Sequence, residues 1–198
     1  MGKLNDGDSL FNRMRRFAES KKTKFKLQVS PNAKTFYRSY IANDLILPLN
    51  ERLIQDVLSY NPKSVLEFGC GVGKNLALIK DKVPNSLGID ISAEAVELAT
   101  KKGLNVICGD ENILKTIENY DVVFTCSVLD HMEYIDEIVS DLKRIANTAI
   151  VIAETNTRVG KFYYPHDYDS LGFVKTDYQY NSTQAKKEAI YYIWHYTV

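Results

Sequence analysis

The sequence has few of the residues that build disulfide frameworks or cysteine-based metal sites. Its 198 residues include three cysteines, Cys70, Cys108 and Cys126, which are widely separated and form no Cys-x-x-Cys pair. This pattern excludes a disulfide scaffold and offers no zinc site. Reduced thiols are typical of intracellular proteins, so we expect a cytoplasmic location.

The sequence also lacks an excess of charge of either sign and lacks long hydrophobic runs. It contains 25 basic and 25 acidic side chains, which gives a formal net charge of zero. A balanced charge argues against a nucleic-acid partner or a membrane surface, because neither would meet a dominant positive field. No apolar stretch approaches the ~20 residues that cross a bilayer. Hydrophobic residues nevertheless make up 45% of the chain, as in ordinary globular proteins.

The hydrophobic pattern divides the chain into a basic N-terminal segment and one folded domain. Residues 1–33 hold the densest group of lysines and arginines and are interpreted as an arm or a lid. Residues 34–60 have apolar side chains at helical spacing, with Pro48 separating two helices. The domain that begins at residue 34 is expected to continue to residue 198.

Short apolar segments that alternate with helical segments follow residue 60. The predicted strands are 64–68, 86–90, 104–108, 121–126 and 148–153. Strands that are apolar throughout and separated by helices predict an α/β fold with a mostly parallel sheet and helices on both faces. Two further strands, 173–180 and 189–197, are joined by a polar segment and are predicted to form an antiparallel hairpin.

A glycine-rich loop, Glu67-Phe-Gly-Cys-Gly-Val-Gly-Lys74, follows the first predicted strand. In open parallel sheets, ligands bind at the carboxyl ends of the strands. A phosphate-binding P-loop would need a glycine in place of Phe68 and a serine or threonine in place of Asn75. The dinucleotide fingerprint would need a glycine in place of Lys74 or Leu76, so an NAD-binding loop is disfavoured as well.

The remaining pattern, acid-x-Gly-x-Gly-x-Gly, resembles the first motif of the class I, Rossmann-like methyltransferases that use S-adenosylmethionine. The resemblance covers residues 64–153, and the predicted terminal hairpin also matches that family. It implies a seven-stranded Rossmann-like sheet, in which 64–153 form the cofactor-binding half and 154–198 the substrate cover and hairpin. S-adenosylmethionine would be the cofactor and S-adenosylhomocysteine the product.

The resemblance implies a set of cofactor-binding residues. Asp90 would accept both ribose hydroxyls, Asp110 would meet the adenine amino group, and Tyr37 or Arg38 would pair with the cofactor carboxylate. The loop after the fourth strand would border the methionine end. The full set is Tyr37, Arg38, Glu67, Gly69, Cys70, Gly71, Gly73, Asp90, Ile91, Asp110, Glu111, Ser127 and Val128.

Two histidines are candidates for proton transfer, because imidazole titrates near neutrality. His131 follows the fourth strand, and His166 lies in a tyrosine-rich segment after the fifth, where Tyr164 and Tyr168 are candidate substrate contacts.

The segment after the fourth strand lacks the proline-containing loop of enzymes that methylate nucleic-acid bases. The acids near Asp130 and Glu154 depart from the spacing of magnesium-dependent catechol methyltransferases, so we expect no metal.

The sequence therefore predicts methyl transfer to an oxygen or nitrogen of a small polar metabolite. A peptide or protein side chain as the acceptor, or a non-catalytic module that binds S-adenosylmethionine, are the alternatives. The sequence does not determine the oligomeric state.

Overall fold

The computed structural model of the protein describes residues 36–38, 44–157, 160–182 and 189–198. The basic segment 1–33 and residue 34, where the predicted domain begins, lie outside these residues. The divisions of the chain therefore remain predictions. In the part of the chain that the structure describes, no helix is long and apolar enough to cross a membrane.

One seven-stranded sheet organises the described residues. Its strands are β1 (Ser64–Phe68), β2 (Asn85–Asp90), β3 (Val106–Cys108), β4 (Tyr120–Cys126), β5 (Ala146–Thr155), β6 (Val174–Ser182) and β7 (Ala189–Thr197). The strand order is β3-β2-β1-β4-β5-β7-β6. Strands β1 to β5 are parallel, and β7 runs antiparallel to both of its neighbours, β5 and β6. This is the Rossmann-like arrangement that the sequence predicts.

Helices cover both faces of this sheet. They are α1 (Pro48–Ser59), α2 (Lys74–Ile79), α3 (Ala93–Lys101) and α4 (Asp136–Ile145), with short 3-10 turns at Glu111–Thr116 and Leu129–His131. One apolar core lies under α1, α2 and α3, and the other lies under α4. Residues 36–38 are also helical. Pro48 is the first residue of α1, where its missing N–H leaves no hydrogen bond unmade.

Five strands differ from the prediction by one or two residues at one or both ends, and β3 and β5 illustrate the reasons. Strand β3 begins at Val106 rather than at 104, because Gly103, with φ of +72°, turns the chain before it. Leu104 is buried in that turn against α2 and α3 and not within a strand. Strand β5 extends to Thr155, because β7 pairs with it from Ala149 to Thr155. Partners that lie distant in the sequence therefore set the length of β5.

Candidate functional site

The glycine loop turns sharply at the carboxyl end of β1. Gly69, Gly71 and Gly73 all have positive φ values, between +52° and +77°. The backbone N–H groups of Gly69 and Cys70 donate to the Ile89 carbonyl oxygen at 2.8 and 2.9 Å, which fixes the loop to β2. A Cβ at position 69 would lie 2.2 Å from Cγ2 of Val128. The loop after β4 therefore packs directly on this glycine.

A cavity of about 490 Å³ opens where β1, β2 and β4 end. It brings together most of the residues that the sequence indicated for the cofactor. Those in its wall are Tyr37, Glu67, Gly69, Cys70, Gly71, Asp90, Ile91, Asp110, Glu111, Ser127 and Val128. His131, a candidate for proton transfer, is also in the wall. The volume falls within the range of sites that bind small molecules and cofactors.

The side chain of Glu67 is buried at the floor of this cavity. Its Oε1 accepts a hydrogen bond of 2.7 Å from Asn75 Nδ2, and Asn75 Oδ1 accepts one of 2.8 Å from Asn50 Nδ2. No donor from the described residues lies within hydrogen-bonding distance of Oε2. Burial away from water raises the pKa of Glu67 to about 8, although the bond from Asn75 opposes the shift.

Asp90 connects two loops at the edge of the cavity. Its Oδ2 accepts from the Gly71 N–H at 2.7 Å, and its Oδ1 accepts from the Ser92 N–H at 2.8 Å. Burial raises its pKa, and these two backbone bonds act in the opposite direction. Each oxygen retains a second lone pair, so a ligand hydroxyl can still bind. Asp110, which caps the following 3-10 turn, accepts from the Asn112 N–H.

The carboxylate of Glu154, on β5, binds the loop that follows β4. Its carboxylate accepts from Thr125 Oγ1 at 2.7 Å, from the Val128 N–H at 3.0 Å and from the Asp130 N–H at 3.3 Å. Burial, followed by the nearby charge of Asp130, raises the pKa of Glu154 to about 8. Ser127, in the same loop, has φ of +57°, an unusual value for serine. Its hydroxyl lies 3.2 Å from the Tyr191 hydroxyl.

His131 packs against two aromatic rings in the cavity wall. Its ring centroid is 4.7 Å from those of both Tyr37 and Tyr163. Nδ1 lies 2.8 Å from the Phe162 carbonyl oxygen and 2.7 Å from the Tyr37 hydroxyl. Since a carbonyl only accepts, Nδ1 carries a proton and donates it to Phe162. Nε2 lies 3.7 Å from Oδ1 of the buried Asp130.

The structure places five of the indicated residues outside the cavity wall. Arg38 is exposed, and Gly73 packs against Leu104 under α2. Tyr164 is half-buried, and its hydroxyl lies 3.4 Å from the Lys161 carbonyl. The remaining two are His166 and Tyr168.

Tyr168 is buried in the protein interior, and His166 is half-buried close to it. The Nε2 of His166 lies 3.0 Å from the Leu129 carbonyl and 2.8 Å from the Met132 carbonyl. Both carbonyls accept, so this nitrogen carries a proton, and burial lowers the pKa of His166. Tyr168 packs against Trp194, with ring centroids 4.8 Å apart. The two residues, which the sequence suggested for proton transfer and substrate contact, therefore lie outside the cavity wall.

Other residues in the cavity wall were not indicated by the sequence. They are Phe36, Leu47, Leu49, Asn50, Phe68, Val72, Lys74, Asn75, Ile89, Gly109, Cys126, Met132, Tyr163, Tyr180, Ser182 and Tyr191. The sequence contained a signal for Tyr191. In the last strand, side chains alternate between the two faces of the sheet, so Tyr191 and Trp194 are predicted to lie on opposite faces. No local pattern distinguishes Asn50, since its partner Asn75 is 25 residues away.

Possible metal ligands are dispersed in this site. Among residues 36–38, 44–157, 160–182 and 189–198, no group of three histidine, cysteine, aspartate or glutamate side chains is arranged to hold a metal ion. The carboxylates of Asp130 and Glu154 are close to each other, but Glu154 is occupied by hydroxyl and backbone donors.

Comparison with known proteins gives one match at the level of a family. Residues 37–192 match the family model described as a methyltransferase domain. A segment of 123 residues is 26% identical to a bifunctional methionine biosynthesis protein, MetXA/MetW, from Rhodopirellula baltica. That match covers 56% of this chain and 20% of the relative, so the chain spans about a fifth of the relative's length.

Solved structures resemble the fold at low sequence identity. A magnesium protoporphyrin IX methyltransferase from Synechocystis, crystallised with bound S-adenosylmethionine, superposes with a TM-score of 0.63 at 15% identity, covering 88% of this chain and 99% of that one. An S-adenosylmethionine-dependent methyltransferase from Clostridium acetobutylicum has a TM-score of 0.55 at 13% identity, covering 74% and 89% respectively.

Proposed function

The chain belongs to the methyltransferase-domain family, and we propose that it transfers the methyl group of S-adenosylmethionine to an oxygen or nitrogen of a small polar metabolite. The family match spans residues 37–192 and so includes the whole cavity apart from Phe36. The observation that carries the proposal is the position of His131, which lies in the cavity wall with one ring nitrogen bound and the other beside a buried carboxylate.

The cavity residues fit this cofactor on three counts. Glu67 offers a buried carboxyl oxygen with no donor among residues 36–38, 44–157, 160–182 and 189–198, which suits a ligand ammonium group. A side chain at Gly69 would collide with Val128, so the bare backbone is available for close approach by a ligand. Asp90 is placed at the end of β2 with lone pairs that can accept ribose hydroxyls.

The cofactor, when bound, supplies an electrophilic methyl group together with its own leaving group. The protein then has to orient the acceptor and exclude water, and positioning of this kind lowers barriers by roughly 7–11 kcal/mol. Tyr37, Tyr163, Tyr180, Ser182 and Tyr191 present hydroxyl groups or aromatic faces to the cavity. These groups suit a small polar acceptor, because the cavity of about 490 Å³ must hold the cofactor as well.

His131 is assigned as the general base for that acceptor. Because Nδ1 donates to the Phe162 carbonyl, Nε2 is the nitrogen that can accept a proton. The Asp130 carboxyl at 3.7 Å would stabilise the imidazolium ion that forms. Tyr37 and Tyr163 both pack against the ring and restrict its rotation.

The experiment that tests this proposal compares two histidine variants. Purified protein is incubated with methyl-labelled S-adenosylmethionine and a panel of small hydroxyl, carboxyl and amine compounds, and label transfer is measured. With any acceptor found, we expect His131→Ala to lower kcat by roughly 10²–10⁴-fold, the usual contribution of a general base.

His195→Ala is the matched control. His195 binds Tyr60 and Asp56 outside the cavity wall, so its loss should leave turnover near that of the wild type. Turnover that survives in His131→Ala would contradict the assignment of the base. Binding of the cofactor without transfer to any small compound would contradict the proposed acceptor class.

A further inference from the structure

The amide side chains of Asn50 and Asn75 form a hydrogen-bonded chain with a fixed direction. It starts at the Leu47 backbone N–H, which can only donate, and which lies 2.9 Å from Asn50 Oδ1. The Asn50 amide nitrogen must then donate to Asn75 Oδ1, and the Asn75 amide nitrogen must donate to Glu67 Oε1. Both asparagines are buried, with exposures of 1% and 2%, so water does not compete for these bonds.

This direction determines which oxygen of Glu67 can carry a proton. Oε1 receives a donor from Asn75 and must be an acceptor. In a protonated Glu67 the carbonyl oxygen is the stronger acceptor and takes the bond from Asn75, which leaves the hydrogen on Oε2, the oxygen that no donor of the described residues reaches. Glu67 is in the cavity wall, and Oε2 is its buried oxygen without a hydrogen-bond partner among the described residues, so we assign Oε2 to a ligand.

We propose that the Asn50–Asn75 chain keeps the Glu67 proton on Oε2, and that a ligand ammonium group binding at Oε2 displaces this proton into solution. This inference rests on the proposed cofactor, because both S-adenosylmethionine and S-adenosylhomocysteine carry an amino-acid ammonium group. The Oε2–H bond breaks, the proton passes to the buffer, and the ammonium N–H donates to the carboxylate. Asn50 and Asn75 act as positioning residues.

Burial, against most of the groups that face Glu67, favours a protonated carboxyl in the free protein. Lys74 and the Leu76 N–H on α2 favour the charged form, and so does the bond from Asn75. Asp90 at the end of β2 opposes it, and the Cys70 and Cys126 thiols also face the carboxyl. Burial is the largest influence and raises the pKa of Glu67 to about 8, so the carboxyl is mostly protonated at pH 7.

Titration calorimetry with S-adenosylhomocysteine measures the released proton directly. The binding enthalpy is recorded at pH 7 in phosphate, HEPES and Tris, whose ionisation enthalpies differ, and its slope against ionisation enthalpy gives the protons exchanged. We expect release of between about 0.5 and 1 proton per ligand, and an affinity that rises with pH up to about pH 8.

Glu67→Gln is the reference variant, because its amide resembles the protonated carboxyl. It can accept from Asn75 through its oxygen while presenting N–H groups where Oε2 was. We expect it to bind S-adenosylhomocysteine roughly 10- to 100-fold more weakly, since a charge-assisted hydrogen bond is lost. Binding to Glu67→Gln should release no proton. Any pH dependence of the affinity that remains in this variant would come from ionisation of the ligand.

Asn75→Ala separates a positioning role from a merely structural one. When the hydrogen bond from Asn75 to Oε1 is lost, the charged form of Glu67 is less stable. The pH at which the affinity levels off should therefore rise by about one unit. A purely structural role would weaken binding equally at every pH. Asn50→Ala, one step further along the chain, should shift the profile less, and Asn119→Ala, which pairs with Asn147 at the surface, should not shift it.

Three outcomes would overturn these ideas in distinguishable ways. Tight binding with no proton release by the wild type would overturn this inference and leave the proposed function standing. Equal proton release by the wild type and Glu67→Gln would show that another group titrates. Failure of the wild type to bind either sulfur compound would overturn the proposed function itself.

Discussion

At the scale of single residues, close packing explains why the loop after β1 contains glycine at position 69. Gly69 has φ of +77° and lies against Val128, so both its backbone and the space around it require glycine. Gly103 has a similar φ of +72°, but nothing lies within 4 Å of the position that a Cβ would take. A comparison of substitutions at these two glycines therefore distinguishes the cost of a strained backbone from the cost of a steric collision.

We predict different outcomes for alanine at these two glycines. Gly103→Ala should lower the free energy of unfolding by about 1–2 kcal/mol, the cost of a left-handed conformation for an L-residue. Gly69→Ala should lower it by roughly 1–3 kcal/mol more, because Val128 has to move. Urea unfolding measures the stabilities, and titration with S-adenosylhomocysteine measures binding, which Gly103→Ala should retain. Equal losses for both variants would contradict the steric role of Val128.

At the scale of elements, buried carboxylates connect loops that are distant in the sequence. Asp90 at the end of β2 accepts the N–H of Gly71 and the N–H of Ser92, and thereby joins the glycine loop to the start of α3. Glu154 in β5 holds Val128 and Asp130 in the loop after β4. The same carboxylates that shape the cavity thus stabilise its loops before any ligand binds.

Asp90→Asn should therefore destabilise the protein without ligand. An amide at this position can accept only one of the two backbone bonds, and the other N–H loses its partner, at a cost of about 1–3 kcal/mol. Thermal unfolding of the ligand-free protein is the measurement. Asp110→Asn is the comparison, because the amide oxygen can still accept from the Asn112 N–H. A stability of Asp90→Asn equal to that of the wild type would mean that Asp90 serves the ligand alone.

At the scale of the whole molecule, acidic groups concentrate at one end of the sheet. Glu67, Asp90, Asp130 and Glu154 all lie near the carboxyl ends of parallel strands, and three of them line the cavity or hold its loops. Burial raises the pKa values of Glu67 and Glu154 to about 8. The folded protein therefore retains protons that the unfolded chain, with glutamate pKa values of 4.5, has already released.

This difference in proton binding predicts how stability depends on pH. Between pH 4.5 and 8 the folded state binds more protons than the unfolded state, so each raised carboxyl stabilises folding fully below pH 4.5 and loses that contribution as pH rises through about 8. We expect Tm to fall by roughly 5 °C or more between pH 6.5 and 8.5.

Glu67→Gln should reduce that fall, because its amide does not titrate. Glu137→Gln removes an exposed carboxylate from α4 and is the matched control, which should follow the wild type. His166 does not reverse the trend in this range, since its lowered pKa reduces stability only toward acid pH. A Tm that is constant or rises from pH 6.5 to 8.5 would contradict the raised pKa values.

The sequence by itself determined the α/β class, the order of the elements and which loops meet at the cavity. These properties depend on local information: the alternation of apolar segments, the glycine loop after β1 and acids at the ends of β2 and β3. Parallel strands bring their carboxyl ends together whatever the side chains elsewhere, which is why Glu67, Asp90 and Ser127 meet as predicted.

Only the tertiary structure decided which of the remaining polar residues face the cavity. The sequence suggested both His131 and His166 for proton transfer, yet one lies in the cavity wall and the other is half-buried beside two backbone carbonyls outside it. Asn75 becomes the partner of Glu67, and Asn50 the partner of Asn75, because α1 packs beside α2. Such contacts join residues far apart in the chain, and their directions depend on side-chain packing, which no local spacing encodes.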